Sequence, residues 1–137
     1  MISARANDPM REYANMGLQG VIEQASPHEL VRLLMNGALQ RIVHARRHLS
    51  EGNIARKGEN ILKAIDMIET LRTSLDFERG AEIAGSLESL YEYMVRQLSR
   101  ANAQNDVSLL SEVEDLLRQV FDGWSAIGQQ ATVATAR

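Results

Sequence analysis

The segment Ala25–Leu34 marks the start of a long amphipathic helix and constrains the fold most strongly. Ser26 can cap a helix, Pro27 fits the first helical position, and Glu29 completes a Ser-x-x-Glu capping box. Apolar or small residues then recur at helical spacing: Leu30, Leu33, Leu34, Gly37, Ala38, Ile42, Ala45 and Leu49. The same spacing returns in three further segments, so the pattern predicts an all-helical protein.

Three turn-forming segments divide the chain into four helices. The first helix is predicted from Pro27 to about Ser50, and Glu51-Gly52-Asn53 ends it. The second is predicted from about Ile54 to Ser74–Asp76, and Phe77-Glu78-Arg79-Gly80 forms the connection. The third carries Ile83 to Ala101, Asn102–Asp106 is the next turn with Asn105 or Asp106 as cap, and the fourth carries Leu109 to Ile127.

Short connections between long helices make neighbouring helices antiparallel. We therefore expect an all-α, antiparallel up-down four-helix bundle over residues 25–130. Residues 1–24 are predicted to form a flexible N-terminal arm with a short amphipathic segment, and residues 131–137 a frayed C-terminal tail.

The composition narrows the class further. A length of 137 residues fits one domain, and the absence of cysteine excludes disulfide and thiolate chemistry. There is no apolar run long enough to cross a bilayer, and Met1–Pro9 has no signal-peptide core. We expect a soluble cytoplasmic protein.

The sequence contains no catalytic or cofactor-binding pattern. His44 and His48 are spaced like two zinc ligands, but no carboxylate of a His-Glu-x-x-His motif lies between them and no third ligand is near. Glu112, Glu114 and Asp115 begin the fourth helix, where negative charge favours the helix dipole. We expect no enzyme activity, no metal and no cofactor.

Charge is unevenly distributed along the chain. Residues up to Lys63 carry about +3 and the remainder about −6, a polarity that could orient a partner. The cluster Arg41, Arg46, Arg47 and Arg56-Lys57 could meet phosphates, but it lacks interleaved aromatic residues and the protein is acidic overall. We expect neither nucleic-acid nor membrane binding.

The second and third helices carry more apolar residues than a bundle stripe needs. Met67 lies outside the stripe of Ile61, Ile65 and Ile68, and the third helix has Tyr91, Tyr93, Met94 and Val95 in near succession. The surplus fits either a binding groove or a wider core, because Met and Tyr are common in both.

Several segments in order resemble the FliS-type flagellar export chaperones. They are Ala-Ser-Pro-His-Glu-Leu (25–30), Asn-Gly-Ala-Leu (36–39), Lys-Ala-Ile-Asp-Met-Ile (63–68), Ser-Leu-Asp-Phe-Glu (74–78), Gly-Ala-Glu-Ile-Ala (80–84), Leu-Tyr-Glu-Tyr-Met (90–94), Ala-Asn (101–102) and Trp124. The likeness covers about residues 10–127. Two departures are Met10, where the family usually has isoleucine, and Met35-Asn36, where it has an aromatic-acid pair.

The resemblance implies a chaperone that binds the disordered C-terminal segment of flagellin, prevents premature polymerisation and delivers it to the flagellar type III export apparatus. It also implies that the arm, through Met10 and Tyr13, can fold over the client groove. The expected partner-binding residues are Met10, Tyr13, Asn60, Leu62, Ala64, Ile65, Met67, Ile68, Leu71, Leu87, Leu90, Tyr91 and Met94.

Two alternatives stay open. The extra apolar face could pair with a second copy in a structural homodimer, or the protein could be an adaptor for other flagellar factors, such as an anti-sigma factor or a co-chaperone.

Overall fold

The computed structural model describes residues 26–75 and 81–136, which form four α-helices. These are α1 (Pro27–Ser50), α2 (Ile54–Thr73), α3 (Ala81–Gln104) and α4 (Val107–Ala136). The all-α prediction is confirmed. The predicted arm of residues 1–24 and the Phe77–Gly80 connection lie outside the described residues.

The helices pack in a ring. α1 lies against α2 and α4, and α3 lies against the same two helices. Consecutive helices run antiparallel, so the beginnings of α1 and α3 lie at the same end of the bundle as the end of α2. This end also receives the C-terminal part of α4.

Local capping explains both ends of α1. The Ser26 hydroxyl accepts a hydrogen bond from the Glu29 backbone N–H at 3.1 Å, as predicted, and the Glu29 carboxylate contacts Arg32. At the other end Gly52 adopts φ 77°, which only glycine takes without strain. The Asn53 N–H then bonds back to the His48 carbonyl at 2.8 Å, which stops the helix.

The predicted turn at Asn102–Asp106 begins too early. α3 continues to Gln104, and the chain reverses at Asn105, which has φ 51°. Asn102 stays helical because the ammonium group of Lys57 bonds to both its carbonyl oxygen and its Oδ1, at 2.9 and 2.7 Å. Asp106 caps α4, as one of the two predicted candidates, by accepting from the Ser108 N–H at 2.9 Å.

The core runs along the inside of all four helices. Its buried members are Leu34, Met35, Ala38, Leu39, Ile42, Ala45, Ile61, Ala64, Ile68, Leu71, Tyr91, Met94, Leu98, Ala101, Leu110, Val113 and Leu117. They recur at spacings of three and four residues, so one apolar face of each helix is covered.

α4 reaches Ala136, beyond residue 131, the predicted start of the tail. The fraying of residues 131–137 stays a prediction. None of the four helices in the described part of the chain combines the length and apolar composition that crossing a bilayer requires.

Candidate functional site

An apolar pocket of about 400 Å³ lies at the end of the bundle where α1 and α3 begin and α2 ends. Each helix contributes side chains from the turns that meet there. The lining residues are Pro27, His28, Val31, Leu71, Ser74, Leu75, Ile83, Ala84, Leu87, Tyr91 and Trp124. A cavity of this size and character is typical of sites that take apolar groups from a ligand or partner.

The first turn of α1 is fastened to α4 beside this pocket. The imidazole of His28 stacks on the indole of Trp124, with ring centroids 4.5 Å apart and planes 6° apart. The indole N–H of Trp124 donates to the His28 backbone carbonyl at 3.0 Å. The His28–Trp124 pair therefore joins α1 to α4 beside the pocket through both a ring contact and a hydrogen bond.

Gly128, one turn beyond Trp124, has no side chain and therefore leaves space for the imidazole of His28. A Cβ atom at position 128 would lie 2.2 Å from Nε2 of His28 and 2.5 Å from Cδ2. A larger residue would therefore push the imidazole off the indole. Nε2 itself is buried and has no hydrogen-bond partner among the described residues.

Tyr91 supplies a hydroxyl to a mainly apolar lining that also contains His28 and Ser74. Its side chain is 1% exposed, and burial raises the pKa of Tyr91 to about 12. No hydrogen bond joins its hydroxyl to another residue in the described ranges. The hydroxyl can therefore bond a polar group that enters the pocket.

The predicted binding residues fall into groups that differ in burial and in position. Leu71, Leu87 and Tyr91 meet in the pocket. Ala64, Ile68 and Met94 are fully buried inside the bundle, so they present no surface here. The predicted Met10 and Tyr13 lie outside the described residues.

The remaining predicted residues belong to α2 and α3 but do not line the pocket. Asn60 is buried, and its Oδ1 accepts from Arg41 of α1 at 3.3 Å. The Met67 sulfur lies 3.2 Å from where a Cβ of Gly37 would be, so this side chain also packs on α1. Leu62 is 60% exposed, whereas Ile65 and Leu90 are partly buried against the core.

Sequence reasoning missed most of the pocket wall, including Val31, Leu75, Ile83 and Trp124. The signal that could have found them is topological. In an antiparallel bundle the first turns of α1 and α3 and the last turn of α2 share one end, so apolar residues there face a common space.

Hydrogen bonds between polar side chains join α3 to α4. Glu112 accepts from the Tyr93 hydroxyl at 2.6 Å and from the Gln97 amide at 3.0 Å. These hydrogen bonds lower the pKa of Glu112, and the bond to Glu112 raises the pKa of Tyr93. The sequence pattern counts Tyr93 among the surplus apolar residues, but its hydroxyl is bonded to Glu112 of α4.

Two of the other acidic and histidine candidates lie close to charged side chains. Glu114 pairs with Arg46 of α1 at 3.0 Å, and His48 lies 3.7 Å from Glu51. No group of three or more metal-ligating side chains occurs within residues 26–75 and 81–136.

These observations define an antiparallel four-helix bundle with an apolar pocket at one end. The family model of flagellar protein FliS matches residues 9–131. The chain belongs to the FliS family.

Named relatives cover most of the chain. Flagellar secretion chaperone FliSB of Pseudomonas aeruginosa is 46% identical over 118 residues, which are 86% of this chain and 94% of the relative. Flagellar secretion chaperone FliS of Salmonella typhimurium is 39% identical over 129 residues, 93% of this chain and 96% of the relative. The Bacillus subtilis FliS is 36% identical over 106 residues, 77% and 78% of the two chains.

Proposed function

We propose that this protein is a cytoplasmic flagellar export chaperone that binds the disordered C-terminal segment of flagellin. Holding that segment prevents premature polymerisation, and the complex is delivered to the flagellar type III export apparatus. The observation that carries the proposal is the apolar pocket between the ends of α1, α2 and α3, in a chain of the FliS family.

The pocket is proposed as one anchor of a longer contact. Ordering a client residue costs about 1–2 kcal/mol of backbone freedom, whereas a buried aliphatic side chain returns roughly 1.5–3 kcal/mol. A segment of several helical turns therefore needs many anchors, and a cavity of about 400 Å³ holds only a few side chains.

Further anchors are available on the same side of α2 and α3. Ile65 lies two turns before Arg72, whose Nε is 3.9 Å from Glu88 of α3, so Ile65 shares the face of α2 that meets α3. Leu62 is exposed close to that face. An amphipathic client helix could cover these residues with its apolar side.

The experiment compares binding of full-length flagellin with binding of flagellin lacking about forty C-terminal residues, the length of two helices of about 30 Å. The proposal expects the truncated protein to lose most of its affinity. Equal affinity for both forms would refute it. Sedimentation equilibrium tests the homodimer alternative, which requires a tight dimer that does not bind flagellin.

A further inference from the structure

The two ends of the bundle carry opposite net charges. We define the pocket half as residues 26–38, 64–75, 81–92 and 119–136, and the far half as residues 39–63 and 93–118. The pocket half carries only two cations, Arg32 and Arg72, against Glu29, Asp66, Glu69, Glu82, Glu88, Glu92 and Asp122. The far half carries Arg41, Arg46, Arg47, Arg56, Lys57, Lys63, Arg96, Arg100 and Arg118, against Glu51, Glu59, Asp106, Glu112, Glu114 and Asp115.

Two members of the basic cluster seen in the sequence are turned to other helices. Arg46 pairs with Glu114 of α4 at 3.0 Å, and the Lys57 ammonium is buried against Asn102 of α3. Both are used in holding the bundle together. Of the other three arginines, Arg47 and Arg56 are exposed on the outer side of α1 and α2, and Arg41 is half-buried beside α2.

These arginines and two histidines form what we call the cationic patch: Arg41, His44, Arg47 and His48 of α1, with Arg56 of α2. Asn60 links the two helices within it, because its Oδ1 accepts from Arg41 at 3.3 Å and its amide donates to the Arg56 carbonyl at 2.9 Å. The Arg41 guanidinium is therefore held in place before any ligand arrives.

The positive charges in the patch are close enough to act on one another. The pKa of His44 is lowered by burial and then by the charges of Arg47, Arg41 and His48. The one carboxylate paired with a patch member is Glu51, 3.7 Å from His48, and no ion pair joins Arg47 or Arg56 to another described residue. An anionic group bound here would be attracted by the same arginines.

We propose that the cationic patch is a docking surface for an acidic segment of a second protein. A protein segment is favoured over nucleic acid, because the patch has no phenylalanine, tyrosine or tryptophan on which bases could stack. The acidic pocket half would repel the same partner, so the charge pattern also sets its orientation on the bundle. The proposal stands independently of the proposed client.

The test uses the full chain and a fluorescein-labelled poly-L-glutamate peptide, with binding followed by anisotropy at about 0.15 M ionic strength, where the Debye length is about 8 Å. The double variant Arg47→Glu, Arg56→Glu should bind roughly tenfold more weakly than the wild type, because both side chains are exposed and form no ion pair within the described ranges. The variant Arg47→Lys, Arg56→Lys should retain most of the affinity.

The matched control is Arg96→Glu, Arg100→Glu, which makes the same change of net charge in the far half but on α3. It should stay within about twofold of the wild type, since it leaves the patch intact. Circular dichroism confirms that each variant is folded. Absent binding by the wild type, an equal loss in the control, or tighter binding of an oligouridylate of equal charge would each overturn the proposal.

Discussion

The imidazole ring of His28 stacks on the indole of Trp124 and lies against Gly128, one turn later on α4. It is parallel to the indole within 6°, and a Cβ at residue 128 would approach Nε2 to 2.2 Å. Because residue 128 has no side chain, the first turn of α1 can pack against Trp124, one turn earlier on α4.

Replacing Gly128 by alanine should destabilise the protein. The added methyl group must displace the imidazole at a cost of roughly 1–3 kcal/mol, which exceeds the gain of up to about 1 kcal/mol in helix propensity. Gly123→Ala is the matched control, because a Cβ there meets nothing within 4 Å. Urea unfolding should show a loss for Gly128→Ala and a gain for Gly123→Ala; a gain for both would contradict the packing described for His28.

Lys57 fastens the start of α2 to the last turns of α3. The side chain is 3% exposed and donates to two oxygen atoms of Asn102. Lys57→Met keeps the apolar stem but removes the donor from those two partly buried oxygens, so the free energy of unfolding should fall by about 1–3 kcal/mol.

The matched control for Lys57 is Lys63→Met on the same helix. Lys63 is exposed and its ammonium lies 3.8 Å from Glu59, so its loss should change the stability by less than about 0.5 kcal/mol. Equal effects of the two substitutions in urea unfolding would show that the Lys57–Asn102 contact adds nothing.

The Tyr93–Glu112 hydrogen bond should make stability depend on pH in a defined direction. The pKa of Glu112 is lowered in the folded protein, so the contribution of the bond is present above about pH 4.3, the unfolded value, and is lost as the pH falls through the lowered folded value. The pKa of Tyr93 is raised, so the contribution is present below about pH 10 and is lost as the pH rises through the raised value.

We therefore expect the stability difference between wild type and Tyr93→Phe to be constant from about pH 5 to 9 and to shrink below about pH 4. Unfolding curves across this range measure it. Tyr91→Phe is the control, because no carboxylate bonds to that hydroxyl among the described residues and its effect should not change on acidification. A difference that grows in acid would contradict the assigned bond.

His44 should titrate below the usual value of about 6.5. Burial and then Arg47, Arg41 and His48 lower its pKa, so Arg47→Glu should raise that pKa by removing repulsion and adding attraction. Because the unfolded chain binds the proton more readily, wild-type stability should fall as the pH drops from about 6.5 through the folded pKa. Histidine NMR titration measures the shift, and an unchanged pKa in Arg47→Glu would show that the patch charges do not interact.

The helices were predictable because their boundaries depend on local chemistry. Ser26, Pro27 and Gly52 each act on the backbone within one turn, and they mark α1 correctly from sequence alone. The end of α3 was misplaced because a distant residue, Lys57, satisfies Asn102, and helix-breaking propensity cannot register such a contact.

The pocket was predictable only in part. Leu71, Leu87 and Tyr91 stood out as apolar residues, but the same periodicity also selected Ala64, Ile68 and Met94, which the bundle buries completely. Periodicity identifies an apolar face but not the length over which a neighbouring helix covers it. Trp124 joins the pocket through its contact with His28, 96 residues earlier in the chain.

Fluorescence of Trp124, the single tryptophan, tests the central claim most directly, because its indole lines the pocket. A tryptophan-free flagellin C-terminal peptide should shift its emission saturably in the wild type. Ile83→Asp, at a lining residue 68% exposed, should weaken binding at least about tenfold, whereas Ile54→Asp, 48% exposed at the opposite end, should not. Peptide binding that leaves the Trp124 emission unchanged, or that Ile83→Asp does not weaken, would contradict the assignment of the client to this pocket.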